Sequence, residues 1–237
     1  MDNRPATGGH RTAPPFSPPG TERGAEPGPG ATLHSARLYD WLAQLYSLGR
    51  EGRLRGRTLD VAGVAPGESM LDVGCGTGTL ALAARRRLGT AGAVHGVDAS
   101  PEMVARAQSK SARLGLPVVF QVAAAQSLPF ADATFDAVFC TLAMHHLPED
   151  VRAGALAEMR RVLKPQGRVL IVEFRRAQGM RALFNPVTLL HTFRSPRIFD
   201  EVEALMKRAG FERVVTGDLG VGGLGYVLSW QGGDRDA

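Results

Sequence analysis

Leu71-Asp72-Val73-Gly74-Cys75-Gly76-Thr77-Gly78 is the stretch of the sequence that decides the fold. It joins the end of an apolar run, typical of a buried β-strand, to a helical pattern, and its three glycines stand at alternate positions. Glycines at a strand-to-helix turn let the backbone bend sharply and let a ligand lie against it. The stretch therefore predicts a ligand-binding loop at the carboxyl end of a strand.

An acidic residue further along the chain indicates the kind of ligand. Asp98 follows Gly78 by 20 residues, at the end of the next predicted strand. In an open parallel sheet its carboxylate lies across the crevice from the loop, where it can accept hydrogen bonds from both hydroxyls of a ribose. The loop reads Gly-x-Gly-x-Gly, and Thr79 stands where a dinucleotide-binding loop has its last small residue. The spacing favours an adenosine-type ligand without a pyrophosphate.

The rest of the chain alternates short apolar runs with longer helical patterns. Strands are predicted at 69–73, 93–97, 118–122, 133–141 and 168–174, and helices at 80–88, 101–114 and 150–163. This alternation predicts βαβ units, hence an α/β fold with a parallel sheet covered on both faces. A helix at 200–209 is then followed by two strands, 211–216 and 225–230, with no helix between them. We expect these last strands to pair antiparallel at one edge of the sheet.

The composition predicts one domain preceded by a tail. The chain has 237 residues, 44% of them hydrophobic, which suffices for one well-buried α/β domain. Residues 1–30 are rich in Pro and Gly and are predicted to be disordered, whereas residues 31–237 form the domain and begin with a helical segment. With no membrane-spanning run, no signal peptide and only two cysteines, the sequence predicts a cytoplasmic protein without a disulfide framework or a metal site.

The charge of the chain leaves its surface partners open. The formal net charge is +5, and the charges of residues 1–30 cancel, so the excess lies in residues 31–237. Arginine runs such as 85–87 could attract nucleic acid or an anionic membrane surface, or they could form a solvated helix face. No aromatic residues alternate with these arginines, as a groove for single-stranded nucleic acid requires. We do not expect nucleic acid as a partner; peripheral membrane contact and the oligomeric state stay open.

Four ordered segments resemble the class I S-adenosylmethionine-dependent methyltransferases. The string LDVGCGTGTLAL resembles their first motif and VHGVDASPEMVARA their second; SLPFADATFDAVFCTLAMHHL and EMRRVLKPQGRVLIVEF resemble their middle and fifth-strand segments. The resemblance covers about residues 37–231. It implies a Rossmann-like, seven-stranded, doubly wound sheet that is mostly parallel with an antiparallel last strand, a fold that binds S-adenosylmethionine.

The resemblance also implies a set of cofactor-binding residues. They are Asp72, Gly74, Gly76, Gly78, Asp98, Ala99, Met103, Ala125, Gln126 and Thr141. The glycines would contact the methionine moiety and Asp72 would orient their loop. Asp98 would hold the ribose, with Ala99 and Met103 forming the wall of the adenine site.

One position departs from the pattern of the family. Many relatives carry an aspartate just before the small residue that corresponds to Ala125, where it accepts a hydrogen bond from the adenine amino group. Ala124 occupies that position here. The loss of one hydrogen bond is worth roughly 0.5–1.5 kcal/mol, so we expect weaker binding, for which Gln126 could compensate.

Two adjacent histidines are the candidates for chemistry. Methyl transfer requires the nucleophile, the methyl group and the sulfur to be aligned, and a nucleophile that loses a proton benefits from a base. His145 and His146 follow the fourth predicted strand at the ligand-binding edge. Either could line the acceptor site, while the other could simply pack or cap the turn.

The methyl acceptor is predicted from weaker signals. The segment at about 175–199 lies where relatives shape the acceptor pocket, and its apolar character favours a small lipophilic acceptor such as a quinone, phenol or amine. The stretch 45–67 resembles the entry segment of quinone-biosynthesis C-methyltransferases and phospholipid N-methyltransferases. Those quinone enzymes carry a longer, Tyr-rich insertion that is missing here. The alternative is a non-catalytic S-adenosylmethionine-binding scaffold or regulatory protein, which only Ala124 favours.

Overall fold

A computed structural model describes residues 51–175 and 198–232, all within one compact unit of the chain. The predicted tail, the predicted N-terminal helical segment and nearly all of the predicted insertion at 175–199 lie outside these residues. No helix in the described ranges is long and apolar enough to cross a membrane.

Seven strands and five α-helices make up the described residues. The strands are β1 (Ser69–Val73), β2 (Ala93–Asp98), β3 (Val119–Val122), β4 (Phe135–Thr141), β5 (Leu163–Phe174), β6 (Arg213–Asp218) and β7 (Leu224–Trp230). The helices are α1 (Glu51–Val61), α2 (Thr79–Leu88), α3 (Pro101–Leu114), α4 (Glu149–Val162) and α5 (Ile198–Arg208). A short 3-10 helix, Met144–His146, lies between β4 and α4.

The strands form one sheet in the order β3-β2-β1-β4-β5-β7-β6. The pairs β1–β2, β2–β3, β1–β4 and β4–β5 are parallel, whereas β7 is antiparallel to both of its neighbours, β5 and β6. The predicted α/β fold with a reversed last strand is therefore confirmed. The strand order changes direction between β1 and β4, and ligands of open α/β sheets bind at such a point, outside the carboxyl ends of the strands.

Apolar side chains on both faces of the sheet hold the helices in place. On one face Leu80 and Leu88 of α2 pack with Phe139 of β4 in a cluster that also includes residues of α1 and α3. On the other face Leu156 of α4 and Met206 of α5 pack in a second cluster. Burial on both faces explains why β1, β4 and β5 consist of nearly uninterrupted apolar runs.

Three local signals of α3 have their predicted roles. The Ser100 hydroxyl accepts a hydrogen bond from the backbone N–H of Met103, and Pro101 occupies the first turn. Gly115 ends the helix in the left-handed conformation, with a φ of 61°. This helix therefore begins and ends where the sequence predicts.

Two elements differ from the prediction. Helix α1 was not predicted, because Gly52 and Gly56 weaken its helical pattern. Strand β5 begins at Leu163, which pairs with Phe135, rather than at Arg168. The sequence Pro165-Gln166-Gly167 is typical of a turn, and a shift of register between β4 and β5 accommodates it within the strand.

A buried arginine fastens the connection between α1 and β1 to the sheet. Arg168 of β5 donates hydrogen bonds to both carboxylate oxygens of Glu68, at 2.6 and 2.9 Å, and to the carbonyls of Ala62 and Gly63. Its guanidinium thus satisfies backbone groups just after the end of α1. The contact ties the end of α1 to the sheet at the amino end of β1.

Candidate functional site

The glycine loop between β1 and α2 is held against the neighbouring strand. Gly74, Gly76 and Gly78 all have positive φ values, of 70°, 52° and 76°. The backbone N–H groups of Gly74 and Cys75 both donate to the carbonyl of Val97, at 2.8 and 2.9 Å. The loop therefore has one defined conformation before any ligand contact is considered.

Packing within the protein also requires two of these glycines. A Cβ atom at Gly74 would lie 2.5 Å from the Cβ of Ala143, and one at Gly78 would lie 2.6 Å from the ring of Phe120. Both distances are too short for real side chains. The spacing of the glycines therefore reflects contacts with the β4–α4 connection and with β3, as well as access for a ligand.

Asp98 connects the loop to the end of β2. Its Oδ2 atom accepts a hydrogen bond from the N–H of Gly76 at 2.8 Å, and Oδ1 accepts one from the N–H of Ser100 at 2.9 Å. A carboxylate has about four lone-pair positions, so each oxygen keeps one for a further donor. The geometry fits the predicted contact with a ribose.

Asp72 is buried beneath the loop. Its carboxylate accepts a hydrogen bond from the N–H of Ala81, in the first turn of α2. Burial raises the pKa of Asp72 to about 7, opposed by the positive charge of Arg55 and reinforced by the negative charge of Asp98. At neutral pH the Asp72 carboxyl group is therefore only partly ionised, and a cationic group of a ligand beside it would favour the carboxylate form.

A cavity of about 700 Å³ lies beside the loop. Four of the predicted residues line it: Asp72, Gly74, Gly76 and Thr141. The Oγ1 atom of Thr141 is buried and has no hydrogen-bond partner within the described ranges. A buried polar atom of this kind indicates that a ligand supplies the partner. Because small-molecule sites span roughly 300–1,000 Å³, the cavity, the hydroxyl and the loop fit a ligand of the predicted size.

The residues predicted to surround the adenine lie at the ends of β2 and β3. Ala99 is exposed directly after β2, and Met103 is half-buried in the first turn of α3. Ala125 and Gln126 follow β3, and the N–H of Ala123 donates to the carbonyl of Asp98 at 3.1 Å. The structure thus places Ala99 and Met103 just after β2, and Ala125 and Gln126 just after β3, the strand paired with β2. Their contact with adenine stays a prediction, as does the effect of Ala124.

Two residues of α4 position the segment after Gln126. The N–H of Leu128 donates to Glu158 at 2.8 Å, and Arg161 donates to the carbonyls of Leu128 and Phe130 at 3.1 and 2.8 Å. Arg161 and Glu158 also pair with each other. This pair could not be predicted, because nothing local in the sequence links α4 to a loop about 30 residues earlier.

The two predicted histidines occupy the short 3-10 helix after β4. Leu142, which follows Thr141, has a φ of 56°, rare for a branched side chain, and this turns the chain toward the glycine loop. His145 lies with its Nδ1 atom 2.9 Å from Oε2 of Glu173, and its ring contacts that of His146 with centroids 4.0 Å apart. The His145 side chain is 10% exposed, whereas His146 is exposed at the surface.

Glu173 is the main residue of the site that was not predicted from the sequence. It is 1% exposed, at the carboxyl end of β5, and it also accepts a hydrogen bond from the N–H of His145 at 3.3 Å. An acidic residue in the otherwise apolar run VLIVEF is the signal that could have identified it. The pair joins residues that are 28 positions apart in the chain.

An arginine holds the histidine turn from the other side. The Nε atom of Arg152 donates to the carbonyls of Met144 and Leu147, at 3.2 and 3.0 Å, and its Nη1 pairs with Glu201 of α5 at 2.6 Å. The turn is thus fixed by Glu173 on one side and by Arg152 on the other.

In residues 51–175 and 198–232, no group of three or more His, Cys, Asp or Glu side chains could hold a metal ion.

Both cysteines, Cys75 and Cys140, are buried, and burial raises the pKa of each thiol well above its usual value. The thiols are therefore protonated at neutral pH.

Comparison with known proteins yields methyltransferases at each level. A family model described as a methyltransferase domain matches residues 70–167. The ubiquinone/menaquinone biosynthesis C-methyltransferase UbiE of Haemophilus ducreyi is 30% identical over 220 residues, which are 80% of this chain and 82% of that protein. The demethylmenaquinone methyltransferase of Thermus thermophilus is 40% identical over 59% of this chain and 62% of its own length.

Solved structures agree with the fold. A SAM dependent methyltransferase from Aquifex aeolicus has a TM-score of 0.63 and 24% identity, with 83% of this chain and 98% of that chain covered. A possible histamine N-methyltransferase from Thermotoga maritima has a TM-score of 0.59 and 18% identity, with 83% of this chain and 97% of that chain covered.

Proposed function

Because the chain belongs to the class I S-adenosylmethionine-dependent methyltransferases and is therefore a methyltransferase enzyme, we propose that it methylates a small lipophilic acceptor of the quinone or phenol type. The observation that carries the proposal is the pairing of a cofactor-sized cavity with a histidine–carboxylate pair at the same edge of the sheet. The names of the relatives, which are quinone C-methyltransferases, support the acceptor class. They give no support to the alternative of a non-catalytic scaffold.

The cofactor contacts follow from the loop and the cavity. Gly74 and Gly76 accommodate the methionine moiety against the backbone, and Asp98 accepts hydrogen bonds from the ribose hydroxyls with its remaining lone pairs. Thr141 donates its unpaired hydroxyl to the ligand. Ala99, Met103, Ala125 and Gln126 border the adenine, with Gln126 in place of the missing acid at Ala124.

The histidine turn prepares the acceptor. When bound, S-adenosylmethionine would supply a methyl group on a positively charged sulfur; the acceptor would attack the methyl carbon in line, and the sulfur would leave as the neutral thioether of S-adenosylhomocysteine. Glu173 accepts the Nδ1 hydrogen of His145, which leaves the lone pair on Nε2, at the far side of the ring. Nε2 then takes the proton that a hydroquinone or phenol loses as its oxygen or ring carbon becomes the nucleophile. His146, which is exposed beside it, lines the approach to the site.

The proposal is tested by supplying candidate acceptors. We expect methyl-labelled S-adenosylmethionine to transfer its label to a reduced demethylated quinone or to a component of a lipid extract, and not to a pool of RNA. Label transfer to RNA alone, or no transfer despite measurable cofactor binding, would contradict the proposal.

The role of the histidines is tested by two variants. We expect His145→Ala to lower kcat about 100-fold or more, the usual contribution of a positioned base, and added imidazole to restore part of the rate. His146→Ala should mainly raise KM for the acceptor. If both variants keep normal turnover across pH, the histidines have no part in the reaction.

A further inference from the structure

Arg55 is a largely buried cation with few partners. Its side chain is 18% exposed, and among the described residues the nearest carboxylate oxygen is Oε1 of Glu51, which lies 3.6 Å from its Nη2 atom, beyond a good hydrogen bond. Its Nε atom is buried with no hydrogen-bond partner in the ranges that the structure describes. An arginine stays charged in any protein environment, so a buried guanidinium with unused donors indicates that an anion is to be bound.

The position of Arg55 indicates where that anion lies. Helix α1 contributes several residues to the wall of the cavity that the glycine loop also lines: Glu51, Gly52, Arg55, Gly56 and Leu59. The bonds from Arg168 to the residues just after α1 hold this helix in place. Because the positive charge of Arg55 lowers the pKa of Asp72, the guanidinium lies within electrostatic reach of this carboxyl group, at the end of the cavity that Asp72 lines.

Opposite charges meet at this end of the cavity. Arg55 acts electrostatically on Asp72, yet no hydrogen bond or ion pair joins the two within the described ranges, and the pKa of Asp72 stays near 7 because burial outweighs the attraction. Arg55 is thus not neutralised by Asp72. A ligand group that carries a positive and a negative charge side by side would satisfy both residues.

We propose that Arg55 binds the α-carboxylate of the methionine moiety and so selects adenosine ligands that carry an amino acid. This inference rests on the proposed use of S-adenosylmethionine. The guanidinium supplies two N–H donors in the planar arrangement that a carboxylate accepts. Asp72, which lines the same cavity, supplies the negative charge that balances the neighbouring α-ammonium group.

Two ligands separate this role from a merely structural one. S-adenosylhomocysteine carries the amino acid, whereas 5′-methylthioadenosine has the same adenosine and a thioether sulfur but no amino acid. In calorimetry of the full chain, we expect Arg55→Met to weaken binding of S-adenosylhomocysteine about 10- to 100-fold, the usual worth of a charged hydrogen bond. Binding of 5′-methylthioadenosine should change less than about threefold.

Two further variants complete the test. Arg53→Met alters an exposed arginine on the same helix and should leave both affinities unchanged. Arg55→Lys keeps the charge without the planar donor pair, so it should recover part of the lost affinity. An equal loss for both ligands, or no loss for either, would overturn the assignment of Arg55. A wild-type protein that binds neither ligand would instead overturn the proposed function.

Discussion

The two halves of the site are built differently. At the ends of β1 and β2 the backbone forms the site: three glycines with positive φ and N–H groups bonded to Val97 and Asp98. At the ends of β4 and β5 side chains from separate elements form it, with Glu173 and Arg152 fixing the turn that carries His145. The first half therefore tolerates few substitutions without loss of the fold, whereas the second can change its chemistry with the fold intact.

The largest expected effect comes from adding a side chain to the backbone-built half, which is the half of the site at the ends of β1 and β2. Gly78→Val should lower the free energy of unfolding by about 3–5 kcal/mol, because it combines a strained φ with a clash against Phe120. Urea denaturation measures this loss. Gly115→Val is the matched control, since its φ of 61° is also positive but open space surrounds it; it should cost only about 1–2 kcal/mol, the strain alone. Equal losses would show that the contact with Phe120 does not matter.

A smaller effect, a loss of ligand affinity, is expected from replacing Asp98, which connects the glycine loop to the predicted ribose site. Asp98→Ala removes the acceptor of two backbone N–H groups and of the ribose hydroxyls, so binding of S-adenosylhomocysteine should weaken about 100-fold. Calorimetry checks this, with Asp98→Asn as the variant that keeps one acceptor oxygen and loses less. Unchanged affinity in Asp98→Ala would refute the ribose contact.

In the side-chain-built half, at the ends of β4 and β5, we expect a substitution to change the rate of reaction while stability and cofactor affinity stay unchanged. Glu173→Gln should lower kcat about tenfold, because a neutral amide stabilises the proton on the imidazole less well than a carboxylate does. KM for the acceptor should stay within about twofold, since Glu173 acts through His145. Steady-state kinetics measures kcat and KM, and a melting curve measures the stability of the variant. A fall in the melting temperature that accounts for the lost activity would contradict a positioning role.

The smallest effect is a pH dependence in the backbone-built half. The pKa of Asp72 is about 7 in the folded protein, above its ordinary value of 3.8. The folded state therefore binds more protons, and stability of the ligand-free protein is lost as the pH rises through 7, by about 1 kcal/mol between pH 6 and pH 8. Asp72→Asn should remove this loss in urea denaturation at the two pH values. If stability depends on pH in the same way in Asp72→Asn, another titrating group causes the pH dependence.

The contrast between the halves also explains what could be predicted from the sequence. The loop, Asp98 and helix α3 depend on local spacing, so their residues could be identified one after another along the chain. The partners of the second half could not, because Glu173 and His145 meet only when β5 lies beside β4. Helix α1, which carries Arg55, was not predicted because its two glycines weaken the helical pattern. The bonds from Arg168 to the residues just after the helix come from a distant strand, so the sequence gives no sign of them.

The antiparallel end of the sheet has a consequence for protein synthesis. Strand β6 emerges from the ribosome before β7, yet β7 is the strand that lies between β5 and β6. Until residues 224–230 are available, β5 has one edge without its partner strand, because its apolar residues Leu170 and Ile171 pair with Leu228 and Val227 of β7. A nascent chain that stalls within the preceding glycine-rich segment would therefore present an aggregation-prone edge, and early binding of a chaperone to β5 would protect it.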